Sequence, residues 1–130
     1  MEIFSSTKIK ATDILGKGRG VVATQEIKKG EIIEYCPVIF ITEKEADFLE
    51  KENTVLGYYC LWQFENKKTC IMLGYGSLYN HSTNPNAEID YNTKKAENYV
   101  FYRALKKIQA GEEIVWDYEF ENGKEDFLKI

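Results

Sequence analysis

Gly111-Glu112-Glu113-Ile114-Val115-Trp116-Asp117-Tyr118 reads as a turn running into a strand. Gly111 opens the turn, and the β-branched and aromatic residues after it suit a pleated, half-buried surface. Side chains alternate across a strand, so Ile114, Trp116 and Tyr118 share one face. For an isolated segment that face is simply core. The stretch after it, 119–130, is polar with two aromatics, Phe120 and Phe127.

Upstream, Asn80-His81-Ser82-Thr83-Asn84-Pro85-Asn86 is dense in side chains that bond backbone groups, and Asn-Pro favours a turn. It holds the single histidine, with no Cys or second His beside it to complete a metal site or a Cys-His pair. Gly76-Ser77-Leu78 lacks the second glycine of a serine nucleophile elbow. Further back lies Gly16-Lys17-Gly18-Arg19-Gly20, where glycines permit close approach of a ligand. A dinucleotide fingerprint would run into a helix. Here Val21-Val22-Ala23-Thr24 follows and reads as a strand, so that fingerprint is a poor fit.

Between these stretches most segments read as short strands. Lys8 to Asp13 alternates loosely. Ile32 to Ile41 is β-branched and interrupted by Pro37, which predicts two strands or one kinked strand. Gly57 to Phe64 predicts an aromatic strand, and Thr69 to Leu73 a short one, with Asn66-Lys67-Lys68 as the turn between. Ala87 to Tyr91 and Tyr99 to Arg103 form a candidate hairpin around Asn92-Thr93-Lys94-Lys95. Thr42-Glu43-Lys44-Glu45 is a capping box, predicting a helix from about Glu43 to Glu52 with Ala46, Phe48 and Leu49 on its apolar side. The expected class is mostly β, shading to α+β.

The chain has 130 residues, enough for one domain, and nine Tyr, seven Phe and two Trp supply a core. No apolar run is long enough for a membrane span, and the start lacks a signal-peptide pattern. An intracellular protein that is not secreted is expected. Cys36, Cys60 and Cys70 are odd in number and far apart, which predicts buried thiols rather than disulfides or structural zinc. The formal net charge of −4 does not suit a direct nucleic-acid binder and does suit a basic partner.

The order of the motifs says more than any one of them. Gly18-Arg19-Gly20-Val21 precedes Ile27-Lys28-Lys29-Gly30-Glu31. Asn80-His81-Ser82 follows with Asn84-Pro85-Asn86, then Ala104-Leu105-Lys106-Lys107-Ile108, and finally Gly111-Glu112-Glu113-Ile114 with Asp117-Tyr118. This ordered set resembles the SET-domain protein-lysine methyltransferases over about residues 7–120. The short chain and Leu73-Gly74-Tyr75-Gly76 look most like the small stand-alone viral and bacterial members.

The resemblance implies one SET domain over residues 1–130, with 119–130 as a C-terminal tail. It implies several small β-sheets around a C-terminal pseudoknot, which general topology rules make rare. It also implies S-adenosylmethionine as methyl donor, S-adenosylhomocysteine as product, no metal, and a lysine-containing histone or other basic protein as acceptor. Lys17, Gly18, Arg19, Asn80 and His81 would hold the cofactor, and Tyr118 would be both catalytic and cofactor-binding. Trp116 matches the aromatic position that limits methyl number, where the family has Phe or Tyr. Tyr58, Tyr59 and Trp62 would line the lysine channel. Residues 119–130 contain no cysteine, unlike the zinc-binding segment of many members. Closure of the channel would fall to Phe120, Phe127 or a second copy, and a homodimer is expected. The compartment would be cytoplasmic or nuclear. The rival reading is a SET module that binds cofactor or a lysine-bearing peptide without turnover; loss of Asn80, His81 or Tyr118 would favour it, and all three are present.

Overall fold

A computed structural model describes residues 7–64, 68–91 and 99–118. The elements in order are β1 (Ile9–Ile14), β2 (Gly18–Ala23), β3 (Ile32–Phe40), α1 (Glu43–Lys51), a 3-10 turn (Val55–Tyr59), β4 (Cys60–Phe64), β5 (Lys68–Met72), β6 (Asn80–His81), β7 (Ala87–Tyr91), β8 (Tyr99–Ala104) and β9 (Glu113–Trp116). They build a four-stranded sheet in the order β1-β2-β9-β6 and a five-stranded sheet in the order β4-β5-β3-β8-β7. The mostly β expectation holds. The Asn66 and Asn92 turns lie outside the described residues.

Pro37 resolves to one strand. β3 pairs β8 from Ile32 to Pro37 and β5 from Val38 to Phe40, so the proline sits where the strand changes neighbours. A missing N–H is tolerated at such a handover, although β3 is central. The Thr42 capping box forms: Thr42 Oγ1 accepts from Glu45 N at 3.1 Å, and Glu45 Oε1 accepts from Thr42 N at 2.9 Å. Of the apolar side expected for α1, Ala46 and Leu49 are half-buried and Phe48 is exposed. The aromatic run also departs from expectation. Gly57 to Tyr59 belongs to the 3-10 turn, which Thr54 caps by accepting from Gly57 N, and the strand begins only at Cys60.

Two copies of one nine-residue pattern, Ala-x-x-x-Ile-x-x-Gly-Glu, tie the sheets together. They are Ala23 to Glu31 and Ala104 to Glu112. Gly111 N donates to Ala23 O at 2.7 Å and Gly30 N to Ala104 O at 2.8 Å; Ile27 and Ile108 exchange bonds of 2.9 Å. Within each copy the glutamate carboxylate accepts the N–H three residues earlier, at 3.0 Å in both. The pattern thus folds each turn locally and pairs it with the other. Ile27 and Ile108 meet in the main core with Val21, Val100, Tyr102 and Ile114. Cys36, Cys60 and Cys70 are free and buried. Burial raises all three thiols, Cys70 to about 12.

β9 decides where the site falls. It lies antiparallel to β2 and parallel to β6, between the N-terminal hairpin and the 80–86 segment. Asn86, 4% exposed, fastens that segment. Its Oδ1 accepts from Val115 N at 2.9 Å and its Nδ2 donates to Glu113 O at 2.8 Å, so one amide acts as a strand partner for β9. Asn86→Ala strips both partners from β9. Each buried group left unpaired costs about 1–3 kcal/mol, so a loss of about 3 kcal/mol is expected in denaturant unfolding. A loss under about 0.5 kcal/mol, the usual range of a surface substitution, would remove Asn86 from this role.

Candidate functional site

Three distant stretches converge at β9. Lys17 lies in the β1–β2 turn, Gly18 and Arg19 open β2, Asn80 and His81 form β6, Trp116 ends β9, and Tyr118 follows two residues later. The junction is a side chain that sequence reading passed over as part of a turn. The Glu113 carboxylate accepts from Lys17 Nζ at 2.8 Å and from Asn80 Nδ2 at 2.8 Å. The second proton of the Asn80 amide goes to Arg19 O at 2.9 Å. Both Asn80 donors are therefore used to lock β6 against β2. Gly20 is required here: a Cβ would lie 2.7 Å from Asn80 Nδ2 and equally close to Glu113 Oε2 and Ile14 Cγ1. The Lys17–Glu113 pair is partly exposed and worth at most about 1 kcal/mol, so the Asn80 amide is the stronger tie.

His81 Nδ1 accepts from Tyr118 N at 3.1 Å. An accepting Nδ1 places the ring proton on Nε2. Asp117 Oδ1, at 3.7 Å from the same nitrogen, is a neighbour rather than a hydrogen-bond partner. The Tyr118 hydroxyl donates to Tyr79 O at 2.5 Å. Burial, then the Glu113 carboxylate, then Tyr59 push the Tyr118 phenol up to about 12. The hydroxyl is thus protonated at neutral pH. Its ring lies 4.9 Å from Trp116 and 5.2 Å from His81. Trp116 is 4% exposed, packs edge-on to Tyr102 at 5.8 Å, and its buried Nε1 donor meets no acceptor among the described residues.

The channel expectation divides. Tyr59 is close enough to influence Tyr118 electrostatically, and its carbonyl accepts from Ser77 Oγ at 2.9 Å. The Tyr58 hydroxyl is tied instead to Asn53 Oδ1 at 2.8 Å, just beyond the end of α1. Trp62 belongs to β4, and its side chain lies outside the described ones. Among the described residues no group of three or more His, Cys, Asp or Glu is placed to hold a metal ion, and no helix is long and apolar enough to cross a membrane.

The chain as a whole is similar to known proteins. The family described as SET domain matches residues 18–119, which takes in every site residue just placed except Lys17. The chain belongs to the SET-domain family. That family comprises S-adenosylmethionine-dependent protein-lysine methyltransferases, and the chain is similar to several enzymes of that kind. It is 32% identical to the "Histone-lysine N-methyltransferase, H3 lysine-37 specific" of Schizosaccharomyces pombe, over 85% of this chain and 72% of that protein. It is 33% identical to an N-lysine methyltransferase of Xenopus tropicalis, over 85% of this chain but only 35% of that one. A Plasmodium falciparum structure, described as a candidate histone methyltransferase, superposes with a TM-score of 0.67 at 34% identity, covering 88% of this chain and 95% of that one. A chain of the Chaetomium thermophilum Polycomb Repressive Complex 2 superposes with a TM-score of 0.73 over 92% of this chain and 16% of that one; at 18% identity it shows the fold alone.

The SET cofactor is S-adenosylmethionine, and the residues present fit it. The β1–β2 turn leaves open space above Gly16 and Gly18, Asn80 is fixed beside it by its bond to Arg19 O, and the Tyr118 hydroxyl sits on the carbonyl of Tyr79, the residue just before Asn80. Of the residues singled out in the sequence, the structure brings Lys17, Gly18, Arg19, Asn80, His81, Trp116 and Tyr118 to this junction. Gly20, Asn86 and Glu113 stand in the sequence motifs without an assigned role, and Tyr79 in none of them, because their partners lie far along the chain.

Proposed function

We propose that this chain methylates a lysine side chain of a protein, with Tyr118 as the catalytic residue and with Lys17, Gly18, Arg19, Asn80 and His81 holding the methyl donor. The observation that carries this reading is the fixed Tyr118 hydroxyl, protonated and hydrogen-bonded to Tyr79 O, at the meeting point of β6 and β9. When bound, S-adenosylmethionine supplies an activated methyl group on a sulfonium.

The rest is work for the protein's own groups. A lysine amine must be neutral to attack, against a free pKa near about 10.4. Trp116 and the buried side of Tyr118 make an aromatic, poorly solvated surround that disfavours the ammonium form. The Tyr118 proton is committed to Tyr79 O, so the hydroxyl meets a methyl group with its oxygen, as a weak C–H acceptor. Holding both reactants against this fixed oxygen replaces a bimolecular encounter by an aligned one. A phenol at about 12 is a poor general base at neutral pH, so its role is orientation.

The relatives' names support a histone as the acceptor, and on that acceptor the chain would work in a nucleus. The test is incubation with labelled S-adenosylmethionine and core histones, followed by mapping of methyl-lysine, beside calorimetric titration of metal-stripped protein with the cofactor. Cofactor binding without metal and label on lysine are expected. Binding that appears only after zinc is restored, or label confined to other residues, would overturn the reading. Asn80→Ala frees Arg19 O and one Glu113 oxygen, and should weaken the cofactor by about 1–3 kcal/mol.

A further inference from the structure

Leu73-Gly74-Tyr75-Gly76 is unused by the site as described so far, yet it wraps a buried carboxylate. Glu34 lies on β3 and is 8% exposed. Gly74 has φ +66°, and a Cβ there would lie 2.6 Å from Glu34 Oε2. Only glycine combines that conformation with that approach. Tyr75 N donates to the same oxygen at 2.9 Å, and the Tyr79 hydroxyl donates to Oε1 at 2.7 Å. A buried carboxylate is costly unless hydrogen bonds compensate it. This one is compensated by two neutral donors from the ends of the 75–79 segment, with the Cys36 thiol beside it as well.

Tyr79 is held at three points. Its hydroxyl is on Glu34, its ring lies 4.0 Å from Tyr102, and its carbonyl accepts the Tyr118 hydroxyl. Tyr102 is itself fixed by donating to Gly76 O at 2.8 Å. Tyr79 is 1% exposed, and burial followed by the charge of Glu34 raises its phenol well above the ordinary value, so it remains a donor. We infer that Glu34 is a positioning residue for Tyr118, acting through the Tyr79 phenol, which sets the carbonyl that holds the Tyr118 hydroxyl. The inference rests on Tyr118 being catalytic. It gives the glycine-tyrosine motif a purpose: to deliver a carboxylate to Tyr79. Both carboxylate oxygens are needed as acceptors. A glutamine would turn an amide donor toward one of two donors.

The test compares Glu34→Gln, Tyr79→Phe and Tyr118→Phe, and the doubles Glu34→Gln/Tyr79→Phe and Glu34→Gln/Tyr118→Phe. Each is assayed below its melting transition with labelled S-adenosylmethionine and core histones, and rates are referred to the fraction that binds cofactor. Glu34→Gln and Tyr79→Phe should each lower kcat about tenfold, with KM for histone and cofactor Kd within about twofold. Either double should fall no further than its tyrosine single, because the carboxylate then has nothing to act through.

A readout independent of turnover is the ring-carbon NMR signal of labelled tyrosine, with Tyr118 assigned by its loss in Tyr118→Phe. Glu34→Gln should shift the Tyr118 signal in the cofactor-free protein. If Glu34→Gln leaves both kcat and that signal unchanged while Tyr118→Phe is impaired, the inference is wrong and the role of Tyr118 stands. Additive losses in the doubles would reject the relay in favour of a general packing role. Near-normal kcat in Tyr118→Phe would remove the function reading itself. Tyr79→Phe loses only a hydroxyl, so it carries the same test if Glu34→Gln fails to fold.

Discussion

Tyr118→Phe is expected to lower kcat by tenfold or more at saturating cofactor and acceptor, with each further decade equal to about 1.4 kcal/mol of barrier. The ring keeps its packing against Trp116 and His81, because only the oxygen is removed. The Tyr118 backbone N–H, which holds His81 Nδ1, is also untouched. What disappears is the fixed oxygen on Tyr79 O. Cofactor affinity and the melting transition should therefore change much less than the rate. The pH dependence separates two roles for this oxygen. A phenol raised to about 12 stays protonated across the neutral range, so the wild-type rate should show no step from this group below about pH 10. A base role would instead need the phenolate and would make the residual rate of Tyr118→Phe lose a pH step that the wild type has. Single-turnover measurements across pH decide, and near-normal turnover in the variant would take Tyr118 out of the mechanism.

The hairpin β7–β8 and the capping box of α1 were legible because their signals are local. Ala87 to Tyr91 alternates over its whole length, and Thr42 with Glu45 closes on itself within one turn. Tyr58 and Tyr59 misled in the opposite sense. Aromatic residues favour strands, but Thr54 caps a 3-10 turn and Gly57 packs tightly against α1, and tertiary context prevails over propensity. β6 left no trace because it is two residues long and its parallel partner is β9, far along the chain. The repeated Ala-x-x-x-Ile-x-x-Gly-Glu pattern was visible in principle. Its two copies start at Ala23 and Ala104, much farther apart than the period of about 20–50 residues that marks repeat architectures, and its meaning comes only from the crossed bonds between the copies. Glu34, Asn86 and Glu113 share a further reason. Each is a polar residue in or beside a strand whose partners lie far along the chain: Asn86 and Glu113 acquire theirs once β9 is laid between β2 and β6, and Glu34 acquires its own when the 75–79 segment packs on β3.

Trp116→Phe is expected to shift the product from mono- and dimethyl-lysine toward trimethyl-lysine while leaving the first transfer largely intact. The prediction rests on the resemblance that aligns Trp116 with the SET position where a phenylalanine leaves room for successive methylation and a tyrosine restricts it. The tryptophan here is bulkier than either, and its N–H can only donate. The structure places it between Tyr102 and Tyr118, 4% exposed, so it belongs to the core and borders the Tyr118 ring at once. Its Nε1 is buried without an acceptor among the described residues. Such a donor costs about 1–3 kcal/mol when left unpaired, and an arriving water or neutral amine would satisfy it. Either would occupy the space, or hold the lone pair, that a further methyl transfer needs. Phenylalanine removes the donor and part of the ring together. Shrinking the ring costs the transfer free energy of the lost atoms plus about 24 cal/mol per Å³ of cavity left behind, and relief of the orphan N–H, about 1–3 kcal/mol, works against that cost. Stability should therefore change little, and the variant should remain folded and testable. Mass spectrometry of products at low turnover reads the outcome. Abundant trimethyl-lysine from the unmutated enzyme would sink the steric account. A strongly destabilised variant whose product pattern matches the parent would mark Trp116 as packing alone.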